Sequence, residues 1–354
     1  MYTLGIETSC DETACAVLKG KNQILSNIIS SSIRRHRPFG GVVPEIASRH
    51  CLEVIDIVFK KALGEARIKT SQIDLIAVTQ GPGLIGSIFV GVSFAKALAF
   101  SLKVPLVPVN HIEAHLESNF IKAKKPNAFI GLIVSGGHTS LVKFQRGSYH
   151  LLGETVDDAI GEAYDKVAKI LGLGYPGGPA IDRLANGGNP KAFSFTTPRQ
   201  DGAYDFSFSG IKTAVYHLHE REKNKFRSPK FLRDFCASFQ ETVVRWVVDK
   251  LFLAAEEERI NSVVVGGGVS ANSRLRRLLT DTAYNRGIRL FLPPQELTTD
   301  NAAMIARLGF SLFQKGIRSD LQFAADPSLK IAGRLEKGSG KRNGRVYGFS
   351  RRTS

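Results

Sequence analysis

Residues 2–18, YTLGIETSCDETACAVL, place a short polar turn between two runs of β-forming residues. Residues 2–7 and 13–18 are the strand candidates and residues 8–12 the turn. The signature returns later, where residues 129–135 and 139–144 flank the turn Gly136-Gly137. Aligning Ser9-Cys10-Asp11-Glu12-Thr13 with Ser135-Gly136-Gly137-His138-Thr139 gives Ser-x-x-x-Thr twice, 126 residues apart. Each copy also heads a similar succession. After the first come a third strand at 23–29, a helix from Pro44 to about Ala66, a strand at 73–79, the turn Gly81-Pro82-Gly83, a helix at 86–102 and a strand at 104–109. After the second come helices near 160–171 and 231–258, a strand at 262–265 and a helix from Ala271. This predicts an α/β protein in which one hairpin-led unit is used twice. The first lobe is expected at 1–122 with a returning segment at 300–325, carried by a helix at 299–313. The second lobe is expected at 123–299 with an insertion near 193–230, and a basic tail follows at 326–354.

Composition narrows the class. The chain has 354 residues, 43% of them hydrophobic and 23% charged, which suits two well-filled cores. Met1 leads directly into a strand-like run, so no leader is expected. The apolar stretch 84–102 carries Lys96 and several Gly and Ser, and reads as a buried helix, not a membrane span. Cys10, Cys15, Cys51 and Cys236 form no C-x-x-C pair and read as reduced, mostly buried thiols of a cytoplasmic protein. The net charge of +16 invites a polyanion. Residues 330–354 hold eight Lys or Arg against Glu336 alone, so nearly half of the excess lies in a Gly- and Ser-containing tail. That tail reads equally as a solvated end or as an electrostatic arm for RNA. Arg274, Arg276 and Arg277 form a second cluster, and Lys122, Lys124 and Lys125 a third.

Chemistry concentrates in a few places. In Asn110-His111-Ile112-Glu113-Ala114-His115, Asn110 is a good N-cap and Glu113 completes a capping-box pattern. His111 and His115 then share one helical face, where two imidazoles can ligate one ion. Taken alone, such a pair is more readily a surface feature. Glu113 is displaced from the place a metallopeptidase base would take and is assigned to capping. Asp300, at a polar helix start, is the candidate third ligand; its plain reading is a carboxylate favoured by the helix dipole. Two His and one carboxylate leave coordination positions for substrate oxygens. Three Gly-rich turns, at 134–138, 175–179 and 266–272, can bring backbone N–H groups close to an anion. Neither G-x-G-x-x-G nor a Walker lysine motif is present, which disfavours a dinucleotide dehydrogenase or P-loop NTPase.

Taken together these segments resemble the tRNA threonylcarbamoyladenosine transferases of bacterial type. The resemblance is carried by GIETSCDET at 5–13, GGVVPE at 40–45, Gly81-Pro82-Gly83-Leu84 with Gly86, the His111/His115 segment, 134–138, Tyr164-Asp165-Lys166, 175–178, DFSFSGIK at 205–212, 266–272 and Asp300-Asn301. The matches run in order to about Asp320, and the last thirty residues depart from the pattern. The resemblance implies an actin-like, ribonuclease H-like fold of two lobes around a nucleotide-binding cleft. It implies transfer of the threonylcarbamoyl group from threonylcarbamoyl-AMP to N6 of adenosine-37 in tRNAs reading codons that begin with A. His111, His115 and Asp300 would hold one divalent ion, iron first and zinc second. Val134, Ser135, Gly136, Gly137, His138, Asp165, Gly178, Asp182 and Asn272 would bind the adenylate. Asp11 and Glu12 would orient the amine or accept its proton, or merely order their turn. A degenerate paralogous subunit and a small P-loop ATPase are the expected partners, with no membrane. The rivals are an ATP-dependent kinase of the same fold, a metallopeptidase and a non-catalytic scaffold paralogue.

Overall fold

The structure is a computed structural model and describes residues 1–197 and 202–331. It divides into two compact units. One comprises Met1–Lys125 with residues 299–331, and the other Pro126–Thr298.

The first unit runs β1 (Tyr2–Glu7), β2 (Glu12–Lys19), β3 (Gln23–Ser31), α1 (Ile33–His36), α2 (Pro44–Ala66), β4 (Leu75–Gly81), α3 (Ile85–Leu102), β5 (Leu106–Asn110) and α4 (His111–Glu117). The second runs β6 (Ala128–Val134), β7 (Thr139–Gln145), β8 (Ser148–Glu154), α5 (Ile160–Ile170), α6 (Gly177–Ala185), α7 (Ser209–Arg221), α8 (Pro229–Glu257), β9 (Ser262–Gly266), α9 (Ser273–Arg286) and β10 (Arg289–Phe291). Helix α10 (Ala302–Gln314) returns to the first unit.

The two sheets share one plan. Their orders are β3-β2-β1-β4-β5 and β8-β7-β6-β9-β10. In each, an antiparallel three-strand meander is followed by two strands added in parallel on the far side of its first member. The 126-residue repeat is thus a structural duplication, with β1–β2 corresponding to β6–β7. Central strands β1 and β6 are covered on both faces, which is why β6 reads as a continuous apolar run.

The cores explain the local choices. Helix α2 starts on Pro44, whose missing N–H costs nothing at a first helical position. Helix α3 is long and apolar enough to cross a membrane by length and composition alone. It instead packs Ile88, Val92, Ala95 and Ala99 into the first unit's core. Helix α10 is buried from Ala302 to Phe310 and lies on β1 so closely that a Cβ on Gly5 would meet the Ala302 carbonyl oxygen at 2.2 Å. Cys15, Cys51 and Cys236 are buried free thiols, and Cys10 is half-buried.

Several elements differ from expectation. The last two predicted helices begin later, because Asn272 and Asn301 act as N-caps, accepting from Leu275 N (2.9 Å) and Met304 N (3.1 Å). Asp300 therefore sits in the turn ahead of α10, not in its first turn. Strand β8 and helix α7 carry little periodic signal. Helix α6 opens on Gly177-Gly178-Pro179, and α7 buries only Ile211 and Val215. The basic tail from residue 332 and part of the expected insertion, residues 198–201, lie outside the described residues.

Candidate active site

Strand β5 ends at Asn110, whose side chain accepts from Ile112 N (2.9 Å) and Glu113 N (3.1 Å) and so starts α4 on its very next residue. The resulting short helix points His111 and His115 the same way, with Nε2 atoms 3.1 Å apart. Asp300 Oδ1 closes the figure, 3.0 Å from His115 Nε2 and 3.6 Å from His111 Nε2. Three ligands held ~2.0–2.1 Å from one ion at tetrahedral or octahedral angles stand roughly 2.8–3.4 Å apart, so two sides of the triangle have that size and the His111–Asp300 side, at 3.6 Å, is slightly longer. Both imidazoles are buried, and His115 Nδ1 is a buried nitrogen with no hydrogen-bond partner. Among the described residues this is the one cluster of three potential metal donors. Glu113 is not part of it.

The surroundings favour a cation. Burial lowers the His111 pKa, but Glu7 and Asp300 outweigh it and bring the imidazole to about 9. Burial, and then Asp11 and Asp300, hold Glu12 well above the usual carboxylate range. Burial, with Asp11, Asp300 and Glu12 behind it, pushes the Cys10 thiol up as well. Crowded carboxylates raise one another's pKa because each resists a second negative charge nearby.

The first hairpin turn is part of this cluster. Ser9 Oγ lies 3.5 Å from Asp300 Oδ2, and Glu12 Oε1 accepts from Ser31 Oγ at 3.0 Å. The Asp11 carbonyl accepts from both Ser32 N and Ser32 Oγ at 2.9 Å. Behind Ser32 stands His36, 0% exposed, whose Nδ1 accepts from Val43 N (3.2 Å). Nε2 therefore carries the proton and donates to Ser32 Oγ, 2.9 Å away. Burial lowers the His36 pKa, with Asp11 acting the other way. The unfolded chain takes up this proton near ~6.5, and the folded chain less readily. Stability from this group is therefore complete above that pH and falls as pH drops below it. The melting midpoint of wild type is expected to fall more between pH 7.5 and 5.5 than that of His36→Gln; parallel curves would exclude His36 as the cause.

A second buried network joins the helices that carry the triangle. Glu117 of α4 pairs with Lys125 and faces Arg307 of α10 at 4.0 Å, while Arg307 also donates to the Phe120 carbonyl (3.3 Å) and Ser311 Oγ (2.6 Å). Removing the carboxylate with Glu117→Ala leaves buried cations without their counter-ion. An unfolding titration is expected to show a loss of about 3–5 kcal/mol.

The second unit assembles the other candidates. Ser135 N donates to His138 O (2.8 Å) and His138 N to Ser135 Oγ (3.1 Å), closing the turn that follows β6. Gly136 and Gly137 are exposed, with nothing within 4 Å of where a Cβ would stand. The turn after β9 lies against it, since a Cβ on Gly267 would meet Val134 O at 2.4 Å. Asp165 Oδ1 accepts from Gly177 N at 2.7 Å and holds the start of α6, where Gly178 is open to space. Asp182 accepts from Ser273 N (3.0 Å) and Ser273 Oγ (2.8 Å). Asn272 donates to Gln240 Oε1 at 2.7 Å while capping α9. Of these residues, Asp182, Ser273 and Gln240 line a cavity of about 320 Å³ together with Asn186, Arg274 and Arg277, within the ~300–1,000 Å³ usual for small-molecule sites, while the 135–138 turn, Asp165, Gly178 and Asn272 are not part of its lining. Of the second basic cluster, Arg274 pairs with Glu241 and Arg276 binds the Ser270 and Pro293 carbonyls, so neither is free for a polyanion. Lys125 of the third is held by Glu117.

Sequence reading missed Glu7. It was quoted only as part of a hairpin motif, yet its Oε2 lies 3.1 Å from His111 Nδ1. A carboxylate in an otherwise apolar central strand was the available signal.

A duplicated sheet plan, with a His-His-Asp triangle in one unit and open glycine turns in the other, is that of the actin-like fold. Solved structures agree on the fold. HypF from T. kodakarensis superposes with a TM-score of 0.59 at 15% identity, over 89% of this chain and 48% of that one. The activator of the 2-hydroxyisocaproyl-CoA dehydratase from Clostridium difficile gives 0.51 at 17% identity, over 90% and 99%. The family profile for tRNA N6-adenosine threonylcarbamoyltransferase matches residues 23–307. Transferases of that name are 52% identical in Thermosipho africanus, over 94% of this chain and all of the relative, and 49% in Dictyoglomus turgidum with the same coverage. The Bacillus subtilis protein is 48% identical, over 94% and 96%. The chain belongs to the tRNA N6-adenosine threonylcarbamoyltransferase family and is a tRNA-modifying transferase.

Proposed function

We propose that this chain moves the threonylcarbamoyl group of threonylcarbamoyl-AMP to N6 of adenosine-37 in tRNAs reading codons that begin with A, using one divalent ion held by His111, His115 and Asp300. The observation that carries this reading is the buried triangle of donor atoms, 3.0–3.6 Å on a side, set among carboxylates. Two imidazoles and a carboxylate suit iron and, second, zinc. When bound, such an ion supplies Lewis-acid stabilisation of negative charge on phosphate or carbonyl oxygen.

The remaining work falls to the chain's own residues. N6 attacks the carbonyl carbon of the mixed anhydride, the N–C bond forms, the C–O bond to phosphate breaks, and AMP leaves with the electron pair. The amine proton must go elsewhere. Asp11 and Glu12 are assigned to orient the amine and accept that proton. The N–H groups of 135–138 are assigned to the donor phosphate, where open space at Gly136 and Gly137 admits it. Asp165, Gly178, Asp182 and Asn272 are assigned to the nucleoside. Each carboxylate oxygen of Asp182 has a second lone pair beyond its bond to Ser273, available to a ribose hydroxyl.

The acceptor must be reached in a single-stranded loop, so tRNA binding should weaken steeply with salt. We place the reaction in the cytoplasm, with a degenerate paralogous subunit and a small P-loop ATPase as partners. Leu52 of α2 with Ile85 and Phe89 of α3 are exposed on two packed helices and suit the paralogous subunit. Depleting the protein and weighing tRNA nucleosides tests the reaction. Loss of threonylcarbamoyladenosine is expected; an unchanged level overturns the proposal.

A further inference from the structure

We propose that Glu7 is a positioning residue that sets the tautomer and ring orientation of His111 for the proposed cation; this rests on the metal reading above. Glu7 is 0% exposed at the end of β1. Its Oε1 accepts from Ser9 N at 2.5 Å, and its Oε2 accepts from Thr79 Oγ at 2.5 Å and faces His111 Nδ1 at 3.1 Å. These contacts come from the hairpin turn, β4 and α4, so the carboxylate is held from three directions.

An ionised carboxylate can only accept. His111 Nδ1 must then carry a proton in every state, so a cation would displace the proton on Nε2, the nitrogen that faces His115 Nε2 and Asp300 Oδ1. His115 has no comparable constraint, because its Nδ1 has no partner. Control of tautomer at this site therefore rests on Glu7. The same segment reaches the third ligand through the Ser9 Oγ contact with Asp300 Oδ2 at 3.5 Å. Ser9 is itself pinned, since its carbonyl accepts from Leu84 N at 2.7 Å and a Cβ on Gly83 would meet that oxygen at 2.3 Å. The end of β1 thus links an imidazole and a carboxylate that lie nearly two hundred residues apart in sequence.

Glu7→Gln preserves shape but not function. The amide offers one oxygen for the donors of Ser9, Thr79 and His111, and its NH₂ competes for the position facing His111 Nδ1. Where the amide donates to Nδ1, the proton moves to Nε2 and blocks the ligand lone pair. Metal-ligating histidines that lose such a carboxylate bind their ion ~10–100-fold more weakly.

The test titrates Co²⁺ into the metal-stripped full chain, read by its visible spectrum, for wild type, Glu7→Gln and His115→Ala, with thermal unfolding of each without metal. Wild type is expected to take up one equivalent and Glu7→Gln to bind about 10–100-fold more weakly. The metal-free melting point of Glu7→Gln should fall, since Glu7 is the counter-charge of the buried His111 imidazole; a merely structural role would lower it too but leave the Co²⁺ affinity and spectrum of the folded variant as in wild type. Glu7→Gln binding like wild type, with the same spectrum, overturns the inference and leaves the metal reading standing. Wild type binding no ion, or His115→Ala binding like wild type, overturns the metal reading and this inference with it. Should Glu7→Gln fail to fold, Thr79→Val removes one donor to the carboxylate and should weaken binding several-fold; unchanged affinity overturns the inference.

Discussion

His115→Ala is expected to abolish stoichiometric metal binding and to lower threonylcarbamoyl transfer to tRNA at least about a hundredfold. The substitution leaves His111 and Asp300, two donors where catalytic sites use three protein ligands. The loss should be chemical and not a collapse of the fold. His115 is 0% exposed but makes no hydrogen bond through Nδ1, so its removal takes away a buried unsatisfied group along with the imidazole. Metal content by elemental analysis, transfer by nucleoside mass and the far-UV spectrum separate the possibilities. A folded variant with wild-type transfer would refute the triangle as the reactive centre.

Gly267→Ala is expected to raise the KM for the adenylate donor about a hundredfold and to destabilise the second unit by roughly 2–4 kcal/mol. Gly267 has φ 96° and ψ 159°, a region open in practice to glycine alone. A Cβ there would also stand 2.4 Å from Val134 O and 2.8 Å from Val134 C. No side-chain movement relieves a contact with backbone, so the turn after β9 must shift away from β6. Val134 leads into the turn assigned to the donor phosphate, and strain in one turn enters the other. Because the triangle belongs to the other unit, Co²⁺ affinity should stay within about twofold of wild type. Donor binding unaffected by this substitution would separate the glycine turn from the donor site. Gly137→Ala is the useful contrast. Nothing lies within 4 Å of its Cβ position, so stability should hold and only donor binding should suffer.

Much of the architecture was legible because its signals are local. The repeat of Ser-x-x-x-Thr between strand-like runs marks β1–β2 and β6–β7, and burial on both faces makes the central strand β6 continuously apolar. The i, i+4 spacing of His111 and His115, started by Asn110, puts two imidazoles on one face whatever the rest of the chain does. The start of α6 was legible in Pro179, with Asp182 one turn later, but α7 was not, since two buried residues are all that anchor it.

Residue order alone was enough for the duplication, the glycine turns, the histidine pair and, through motif resemblance, the family. Those features depend on neighbours within a turn or two, where spacing sets geometry. It took the folded chain to bring Asp300 within 3.0 Å of His115 and to seat Glu7 behind His111. Those outcomes depend on how α10 packs on β1 and how β1 pairs with β4. Packing across long sequence separations leaves no periodic trace in residue order.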